Sequence, residues 1–478
     1  MYDHEYEKLD GLDLAGLLRT GDVSSEELMH CAIRLARQRA PALNALTYEE
    51  YEESLLIARN WVARGPFRGI PFLLKDSGLA STRLPSSLGS RLFNDMRYSR
   101  NATLTDRFEM AGLIPFARSN VPELCMAPTT EALRNGGPTI NPWDSRRSTG
   151  GSSGGAAAAV AVGIVPVAHG SDGGGSIRIP ASCCGLFGLK ASRGLVPMGP
   201  FRGEGWGGLA VDGVLSRTVR DTAAALDAIA GAEPGAPYAG PMFENSFLSC
   251  VNRETWRPLR IAVWRQPFSG IELAPECLQA VDATARLCQS LGHEMVDVAP
   301  PADFDYDGFV DAHADVLAAN IVLSVDARLK VLGRDLRDDD LEPAMRDGYE
   351  SGKSVCAAAY ASAINRFHAI GRMMDDCLAR FDLLMTPTLV QLPALLGQLA
   401  MTGSFREFRR RVGRYSTFLA ITNASGQPSA SLPTHWTASR LPVGTQVIAR
   451  FGRDDVILRL AAQIEATGVW QPQTGAAA

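Results

Sequence analysis

The chain has 478 residues, of which 46% are hydrophobic and 21% charged, and its formal net charge is −5. This composition is typical of a water-soluble globular protein with one large domain or two to three ordinary ones. The slightly acidic balance excludes the electrostatic footprint of a nucleic-acid-binding protein. One basic cluster at helical spacing predicts a solvated helix face. It consists of Arg406, Arg409, Arg410, Arg411 and Arg414.

The nine cysteines are scattered, and no Cys/His group in the sequence has the spacing of a zinc site. They predict reduced thiols, no metal ion and a cytoplasmic protein. The acidic N-terminus lacks the pattern of a signal peptide. The longest apolar run, Ala156–Val167, is interrupted by Gly163 and Pro166 and is too short to cross a bilayer. We therefore expect no membrane association.

The N-terminal half alternates predicted helices, strands and glycine turns. Ser24 and Glu27 form a capping-box pattern that begins a helix reaching about Ala40. The other elements predicted in this half are strands at Ile70–Leu74, Leu113–Ala117 and Ile164–Ala168 and a small-residue helix at Ala156–Gly163. This alternation predicts an α/β fold around a buried mixed sheet.

The C-terminal half contains a mainly helical region at 303–380, in which Asp338–Asp340 is expected to cap the next helix. The other elements predicted here are a helix at Pro275–Leu291 and strands at Leu259–Trp264, Phe381–Thr386, Ser429–Leu432 and Val443–Phe451. Because no internal repeat is present, we predict a single large α/β domain over residues 1–470. Its central mixed β-sheet is covered by helices on both faces, and a mainly helical, variable insertion occupies about 290–410. Residues 471–478 are predicted to be a disordered tail.

Two glycine-rich segments carry the most specific signal. Gly150–Gly155 and Ser171–Arg178 place Ser152 and Ser176 24 positions apart (176 − 152), each within a glycine run. Glycine is costly to order, so this density indicates that backbone amides approach a ligand closely. Together with Lys75 at the end of an apolar run, these are the parts of a serine hydrolase that works without histidine.

Lys75 is a candidate for the base that a serine nucleophile requires. Burial depresses the pKa of a lysine, and the apolar run Ile70–Leu74 predicts burial. The alternative is a strand-end lysine paired with Asp76. Spacing alone leaves both open, and the serine-rich loops favour the base because they are otherwise hard to explain. His169, seven residues before Ser176, is predicted to be a structural histidine.

The second glycine segment is predicted to hold an oxyanion with consecutive backbone amides, one of which typically contributes on the order of 10²–10³ in rate. The residues concerned are Gly173, Gly174, Gly175 and Ser176. The alternative is a glycine turn made only for tight packing. Asp172 and Arg178 flank this loop and are predicted to form a structural pair, and Ser153 is expected to support the site.

A competing motif is present in the first segment. Gly150–Gly154 matches the G-x-S-x-G elbow of α/β-hydrolases, which would make Ser152 the nucleophile of an esterase. That elbow follows a β-strand, whereas Asp144–Ser148 is polar and predicts a loop. The histidine would have to be His435, which has no obvious acidic partner nearby in the sequence. The match is therefore weak.

Taken together, these segments resemble the amidase signature family, and the core of the resemblance is Gly150–Lys190. The other matching segments are Gly69–Lys75, Asn120–Glu123, Asn141–Asp144, Leu384–Thr388 and Ser425–Pro428. The resemblance covers most of the chain. It implies the amidase signature fold and a hydrolase that cleaves carbon–nitrogen bonds other than peptide bonds through an acyl-enzyme.

The family resemblance also implies roles for individual residues. Ser176 is the nucleophile, Ser152 the bridging serine next to a cis peptide bond and Lys75 the base, with the oxyanion hole on the amides of Gly173 to Ser176. No cofactor is implied. The sequence departs from the family at Ser171, where threonine is common, at Gly173, where a larger residue often stands, and at Ala191–Ser192, which replaces Pro-Thr. These departures touch packing near the site and weaken any assignment of substrate by analogy.

Substrate is predicted from the pocket. The candidate pocket residues Cys125, Met126 and Trp206 lie in segments of small and apolar residues without charged runs. Because burying an unpaired charge is costly, we expect a neutral carboxamide, either linear, aryl or cyclic. Within the family, Pro166–Gly170, Ile179–Ser182 and the C-terminal third resemble a branch that cleaves a cyclic amide.

The main alternative is the A subunit of a glutamyl-tRNA amidotransferase, which releases ammonia from glutamine inside a complex. That role requires partner subunits. For an amidohydrolase the expected partner is a small-molecule amide, with no nucleic acid and no membrane, and a homodimer is left open.

Overall fold

The computed structural model of the protein describes residues 1–252 and 257–470, so the predicted tail at 471–478 lies outside the described residues. The strands are β1 (Leu46–Thr47), β2 (Ile70–Lys75), β3 (Leu113–Ser119), β4 (Ile140–Asn141), β5 (Asp144–Ser148), β6 (Val167–Asp172), β7 (Phe187–Lys190), β8 (Val211–Ser216), β9 (Arg260–Val263), β10 (Glu294–Asp297), β11 (Leu383–Pro387), β12 (Ser429–Trp436) and β13 (Pro442–Ala449).

The α-helices are α1 (Asp3–Tyr6), α2 (Gly11–Thr20), α3 (Ser25–Leu43), α4 (Tyr51–Arg59), α5 (Thr103–Met110), α6 (Gly154–Ala161), α7 (Arg178–Cys184), α8 (Val219–Ile229), α9 (Phe247–Val251), α10 (Pro275–Ser290), α11 (Tyr306–Leu332), α12 (Pro343–Gly352), α13 (Ala357–Leu378), α14 (Phe405–Tyr415), α15 (Ala420–Ser425) and α16 (Asp454–Ala466). Short 3₁₀ helices lie at Glu123–Cys125 and Leu133–Asn135.

An eight-stranded mixed sheet forms the centre of the molecule, in the order β10-β9-β11-β13-β12-β7-β8-β6. The pairs β10–β9 and β9–β11 are parallel, and the remaining pairs are antiparallel. Beside β6 lies β2, in a three-stranded sheet ordered β1-β3-β2. Helices α7, α10 and α16 pack on β12 and β13. The predicted α/β fold, with a mixed sheet flanked by helices, is confirmed.

The strands that lead to the candidate site are fully buried. All six residues of β2 and all seven of β3 are buried, which explains their nearly continuous apolar sequences. Helix α6 is built from Gly, Ala and Val and is buried along its whole length. Small side chains let this helix approach its neighbours closely, and they place the Ser152 turn at its start against the sheet.

Three local predictions are wrong. Asp144–Ser148 is strand β5, paired with β4 in a hairpin, because ladder hydrogen bonds do not require apolar side chains. The strand predicted to begin at Ile164 begins at Val167, since Pro166 cannot donate to a ladder. Asp340 pairs with Arg334 instead of capping α12.

The helical region consists of α11, α12 and α13, which pack together and against α14. Strands β10 and β11 lie within the predicted insertion at about 290–410 but belong to the central sheet. The continuous helical segment is therefore shorter than predicted and lies between these two strands. In the described part of the chain, α11 alone has the length and apolarity of a membrane span, and half of that span is buried. A single helix of this kind is weak evidence of a membrane span, because core helices can pass the same test of length and apolarity.

The basic cluster lies on α14, and the prediction of a solvated face is wrong for one of its members. Arg406 and Arg410 are half-exposed and form ion pairs with acidic residues of α11. Arg409 is buried, because it shares the inward stripe of the helix with Phe405 and Val412.

Candidate active site

Lys75 ends β2 and is fully buried. Its Nζ donates hydrogen bonds to Ser152 Oγ at 2.7 Å, to Ser171 Oγ at 2.9 Å and to the Ser171 carbonyl at 3.2 Å. The carboxylate of Asp76 instead accepts hydrogen bonds from the loop at 86–87. The sequence left open whether Lys75 pairs with Asp76 or faces the serines, and in the structure it faces the serines.

The backbone of Lys75 is held on both sides. Its N–H donates to Nδ1 of His169 at 3.2 Å, and its carbonyl accepts from the buried Arg118 at 3.1 Å. Nε2 of His169 contacts the Asp212 carboxylate at 3.1 Å. His169 thus has a structural role, as predicted. The sequence did not indicate the contributions of Asp212 and Arg118, because their hydrogen-bond partners lie far away in the sequence. Burial lowers the pKa of Lys75, which favours the neutral amine.

Ser152 and Ser176 lie on two loops that touch. The Gly151–Ser152 peptide is cis, as the family resemblance implies. The amide of Ser153, at the start of α6, donates to the Ser176 carbonyl at 3.2 Å. In the described part of the chain no hydrogen bond joins the two serine hydroxyls, but both serines line the same cavity.

Asp172 organises the loop that carries Ser176. Its carboxylate accepts from the amides of Gly175 at 2.7 Å and Ile177 at 3.1 Å, and it forms two hydrogen bonds with the Arg178 guanidinium at 2.9 and 2.8 Å. Burial acts to raise the pKa of Asp172, but Arg178 and the hydrogen bonds outweigh it and hold this pKa below its usual range. The predicted structural pair is therefore present.

The hydrogen bond to Asp172 removes one of the four amides from the candidate oxyanion hole. The amide of Gly175 is already bound to a carboxylate and is not available to a substrate. Among the described residues, the amides of Gly173, Gly174 and Ser176 have no backbone or side-chain acceptor. A Cβ at Gly173 would overlap the Trp206 ring, so glycine is required there for packing as well. The prediction is thus reduced from four amides to three.

A cavity opens beside Ser152 and Ser176, and its empty volume is about 990 Å³ including space open to solvent. The three predicted pocket residues, Cys125, Met126 and Trp206, all line it. The sequence interpretation missed several further lining residues: Phe93, Tyr98, Arg202, Asp212, Asn320 and Ser324. Asn320 and Ser324 are polar residues four apart on the apolar helix α11, and that spacing was the one available signal.

The esterase alternative finds little support in this geometry. β5 supplies the strand that the elbow motif requires, but in the described part of the chain no histidine bonds to either serine. His435 lies half-buried on β12, and no ion pair joins it to a described carboxylate. The described residues also contain no group of three or more side chains placed to hold a metal ion, and the nine cysteines are free.

The family follows from comparison with known proteins. The sequence model of the amidase family matches residues 27–458, so the chain belongs to the amidase family. The predicted class of enzyme, a hydrolase that acts on amides, is thereby confirmed.

The chain is similar to individual members of the family over nearly its whole length. The 6-aminohexanoate-cyclic-dimer hydrolase of Paenarthrobacter ureafaciens is 34% identical over 479 residues, which cover 96% of this chain and 95% of the relative. A solved structure of 6-aminohexanoate cyclic dimer hydrolase has a TM-score of 0.92 and 32% identity, and covers 98% of this chain and 99% of that one. A bacterial aryl acylamidase of the amidase signature family has a TM-score of 0.87 and 26% identity, with the same coverage.

Proposed function

We propose that this enzyme hydrolyses a carboxamide through an acyl-enzyme on Ser176, with Ser152 as the proton relay and Lys75 as the base. The observation that carries the proposal is the 2.7 Å hydrogen-bond distance between the buried Lys75 Nζ and Ser152 Oγ, beside a cavity that Ser176 also lines. Burial lowers the pKa of Lys75 and so increases the fraction of neutral amine, the form that can accept a proton.

In the first half-reaction, Ser176 Oγ attacks the amide carbonyl carbon and passes its proton to Ser152 Oγ, which passes its own to Lys75 Nζ. The resulting oxyanion accepts hydrogen bonds from the amides of Gly173, Gly174 and Ser176. The carbon–nitrogen bond then breaks, and the amine leaves with a proton returned through Ser152. The acyl group remains esterified to Ser176.

In the second half-reaction, a water molecule attacks the ester carbonyl and gives a proton to the same relay. The bond to Ser176 Oγ breaks, and that oxygen regains its proton. The products are a carboxylic acid and an amine or ammonia, so no redox partner or nucleotide is consumed. The same relay protonates an alkoxide or phenoxide, and aryl esters are therefore expected as further substrates.

We propose a small uncharged amide group as the reacting group, in a cyclic, aryl or short acyl amide. The names of the similar proteins, a cyclic-dimer hydrolase and an aryl acylamidase, support this range. The chain is proposed to act as a cytoplasmic enzyme without amidotransferase partners, in keeping with its nine free cysteines.

The test uses the purified chain alone, assayed with 6-aminohexanoate cyclic dimer, an anilide, a short aliphatic amide and glutamine. We expect Ser176→Ala to abolish both turnover and labelling by a fluorophosphonate. The matched control is Ser290→Ala, an exposed serine at the end of α10, which should behave as the wild type. Labelling retained in Ser176→Ala would move the nucleophile elsewhere. Glutamine as the only good substrate would favour the amidotransferase role.

A further inference from the structure

A smaller cavity, with about 310 Å³ of empty volume including space open to solvent, adjoins the candidate oxyanion loop. It is lined by Gly173, Gly174 and Ser176 but not by Ser152, which lines the larger cavity. In the proposed mechanism the amine leaves with a proton from Ser152 and therefore departs into the larger cavity. The smaller cavity is then left for the acyl half of the substrate.

This acyl cavity has a buried cation in its wall. Arg409 is 8% exposed, and its guanidinium donates to the Met126 carbonyl at 2.8 Å. Its Nε has no hydrogen-bond partner, and none of the described carboxylates forms an ion pair with it. Its neighbours on α14 differ, since Arg406 and Arg410 both pair with Asp311.

His313 from α11 completes this wall. Arg409 Nη2 lies 3.4 Å from His313 Nδ1, and because a guanidinium cannot accept, Nδ1 is the acceptor and Nε2 carries the proton. Nε2 is buried and makes no hydrogen bond of good geometry among the described residues, and the Gly173 backbone lies close to the ring. Burial and the nearby guanidinium lower the pKa of His313 to about 3 and outweigh the Gly173 backbone, which acts to raise it, so the ring is neutral.

A buried guanidinium without a counter-ion is costly, because its hydration is lost and no carboxylate compensates for it. A ligand carboxylate would supply the missing negative charge and would accept hydrogen bonds from the unpaired N–H groups. Guanidinium–carboxylate pairs are among the stronger hydrogen-bonded contacts in proteins. Among the described residues, the guanidinium bonds to the Met126 carbonyl and to His313 Nδ1, and neither of these groups carries a compensating negative charge.

We propose that Arg409 and His313 form a carboxylate-binding subsite in the acyl cavity, and that the preferred substrates are amides whose acyl chain ends in a carboxylate. The class is the half-amides of dicarboxylic acids. This inference rests on the proposed function for the direction in which the amine leaves. The reacting amide itself stays uncharged, and the charge belongs to the far end of the acyl chain.

The kinetic test compares succinamate, glutaramate and adipamate with neutral analogues that carry an isopropyl group in place of the carboxylate. For the best chain length we expect the wild-type kcat/KM to favour the carboxylate by about 10- to 100-fold. Arg409→Met should lower this ratio by a similar factor. Arg410→Met, an exposed arginine on the same helix, should leave the ratio unchanged. A wild type that prefers every neutral analogue, or an Arg409→Met enzyme that keeps the preference, would overturn the subsite.

A binding measurement separates this inference from the proposed mechanism and does not depend on the folding of Arg409→Met. Calorimetry on the Ser176→Ala protein should show glutarate binding at least about 10-fold more tightly than 5-methylhexanoate. Equal affinities would overturn the subsite even if neutral amides are hydrolysed. Tight glutarate binding by a protein that hydrolyses no amide would retain the subsite and overturn the proposed function.

Discussion

At the scale of single residues, the proposed chemistry depends on the protonation state of one lysine. Among the described residues no carboxylate bonds to the amine of Lys75, and the hydrogen-bond partners of its Nζ are oxygens of Ser152 and Ser171. Burial disfavours the ammonium form, while the hydroxyls still fix the direction of the amine. The same residue type at the surface would remain protonated at neutral pH and would be useless as a base.

We predict that Lys75→Met lowers kcat by about 10²–10⁴-fold, the usual contribution of a general base. Because the neutral amine is the active form, the wild-type kcat/KM should fall as the pH drops through the lowered pKa of Lys75. The measurement is a pH profile of kcat/KM for both proteins. The acidic limb should disappear in Lys75→Met and persist in His435→Ala. If instead His435→Ala removed the limb, the esterase alternative would replace the proposed mechanism.

At the scale of elements, α6 shows why this part of the sequence is so rich in small residues. The helix is wholly buried, and its first turn packs against the residue that follows β3, Asn120. The amide of Gly155 donates to the Asn120 carbonyl at 3.2 Å, and a Cβ on Gly155 would overlap backbone atoms of Asn120 and Ala45. Because backbone cannot move aside as a side chain does, the close approach requires glycine.

Gly155→Ala is therefore expected to lower the free energy of unfolding by roughly 1–3 kcal/mol through overpacking. It should also lower activity, since the same turn carries Ser152. The matched control is Gly16→Ala in α2, where a Cβ meets nothing within 4 Å. That change should stabilise the protein by about 0.5–1 kcal/mol, because alanine loses less backbone entropy in a helix. Chemical denaturation of both variants checks the opposite signs, and equal effects would contradict the packing argument.

At the scale of the whole molecule, one buried arginine ties together segments that are distant in the chain. Besides Asp172, the guanidinium of Arg178 donates to Thr422 Oγ1 at 2.7 Å, Asn423 Oδ1 at 2.7 Å and Gln446 Oε1 at 2.8 Å. These partners lie on α15 and β13, 244 to 268 residues away. The loop that carries Ser176 is thus anchored to the far half of the central sheet.

Arg178→Met should lower the free energy of unfolding by about 3–5 kcal/mol, because it leaves the Asp172 carboxylate buried without its partner. Arg450→Met, which breaks a half-exposed pair with Asp375, should cost no more than about 1 kcal/mol. Denaturant titrations of the two variants measure the difference. A loss in Arg178→Met as small as in the surface variant would contradict the role of this network.

Local sequence was sufficient for the features that depend on a residue and its near neighbours. The apolar run before Lys75 predicted a buried strand, and Ser24 with Glu27 predicted the start of α3. The two glycine loops predicted where Ser152 and Ser176 lie, because glycine content and turn geometry are written into a few consecutive residues. Their catalytic roles stay a proposal that the kinetic tests address.

Tertiary structure alone decided which groups face each other. Asp212 contacts His169, the Gly175 amide donates to Asp172, and Arg409 turns inward although Arg406 and Arg410 on the same helix are half-exposed. Whether a side chain is buried depends on which elements pack over it, and hydrogen-bond partners are chosen by folding across tens to hundreds of residues. Helical spacing shows that Arg409 shares a stripe with Phe405, but only the packing of α11 and α14 makes that stripe part of the acyl cavity. The sequence by itself therefore determined the class of fold and the positions of the proposed reacting groups, and the packing determined the shape and charge of the cavity around them.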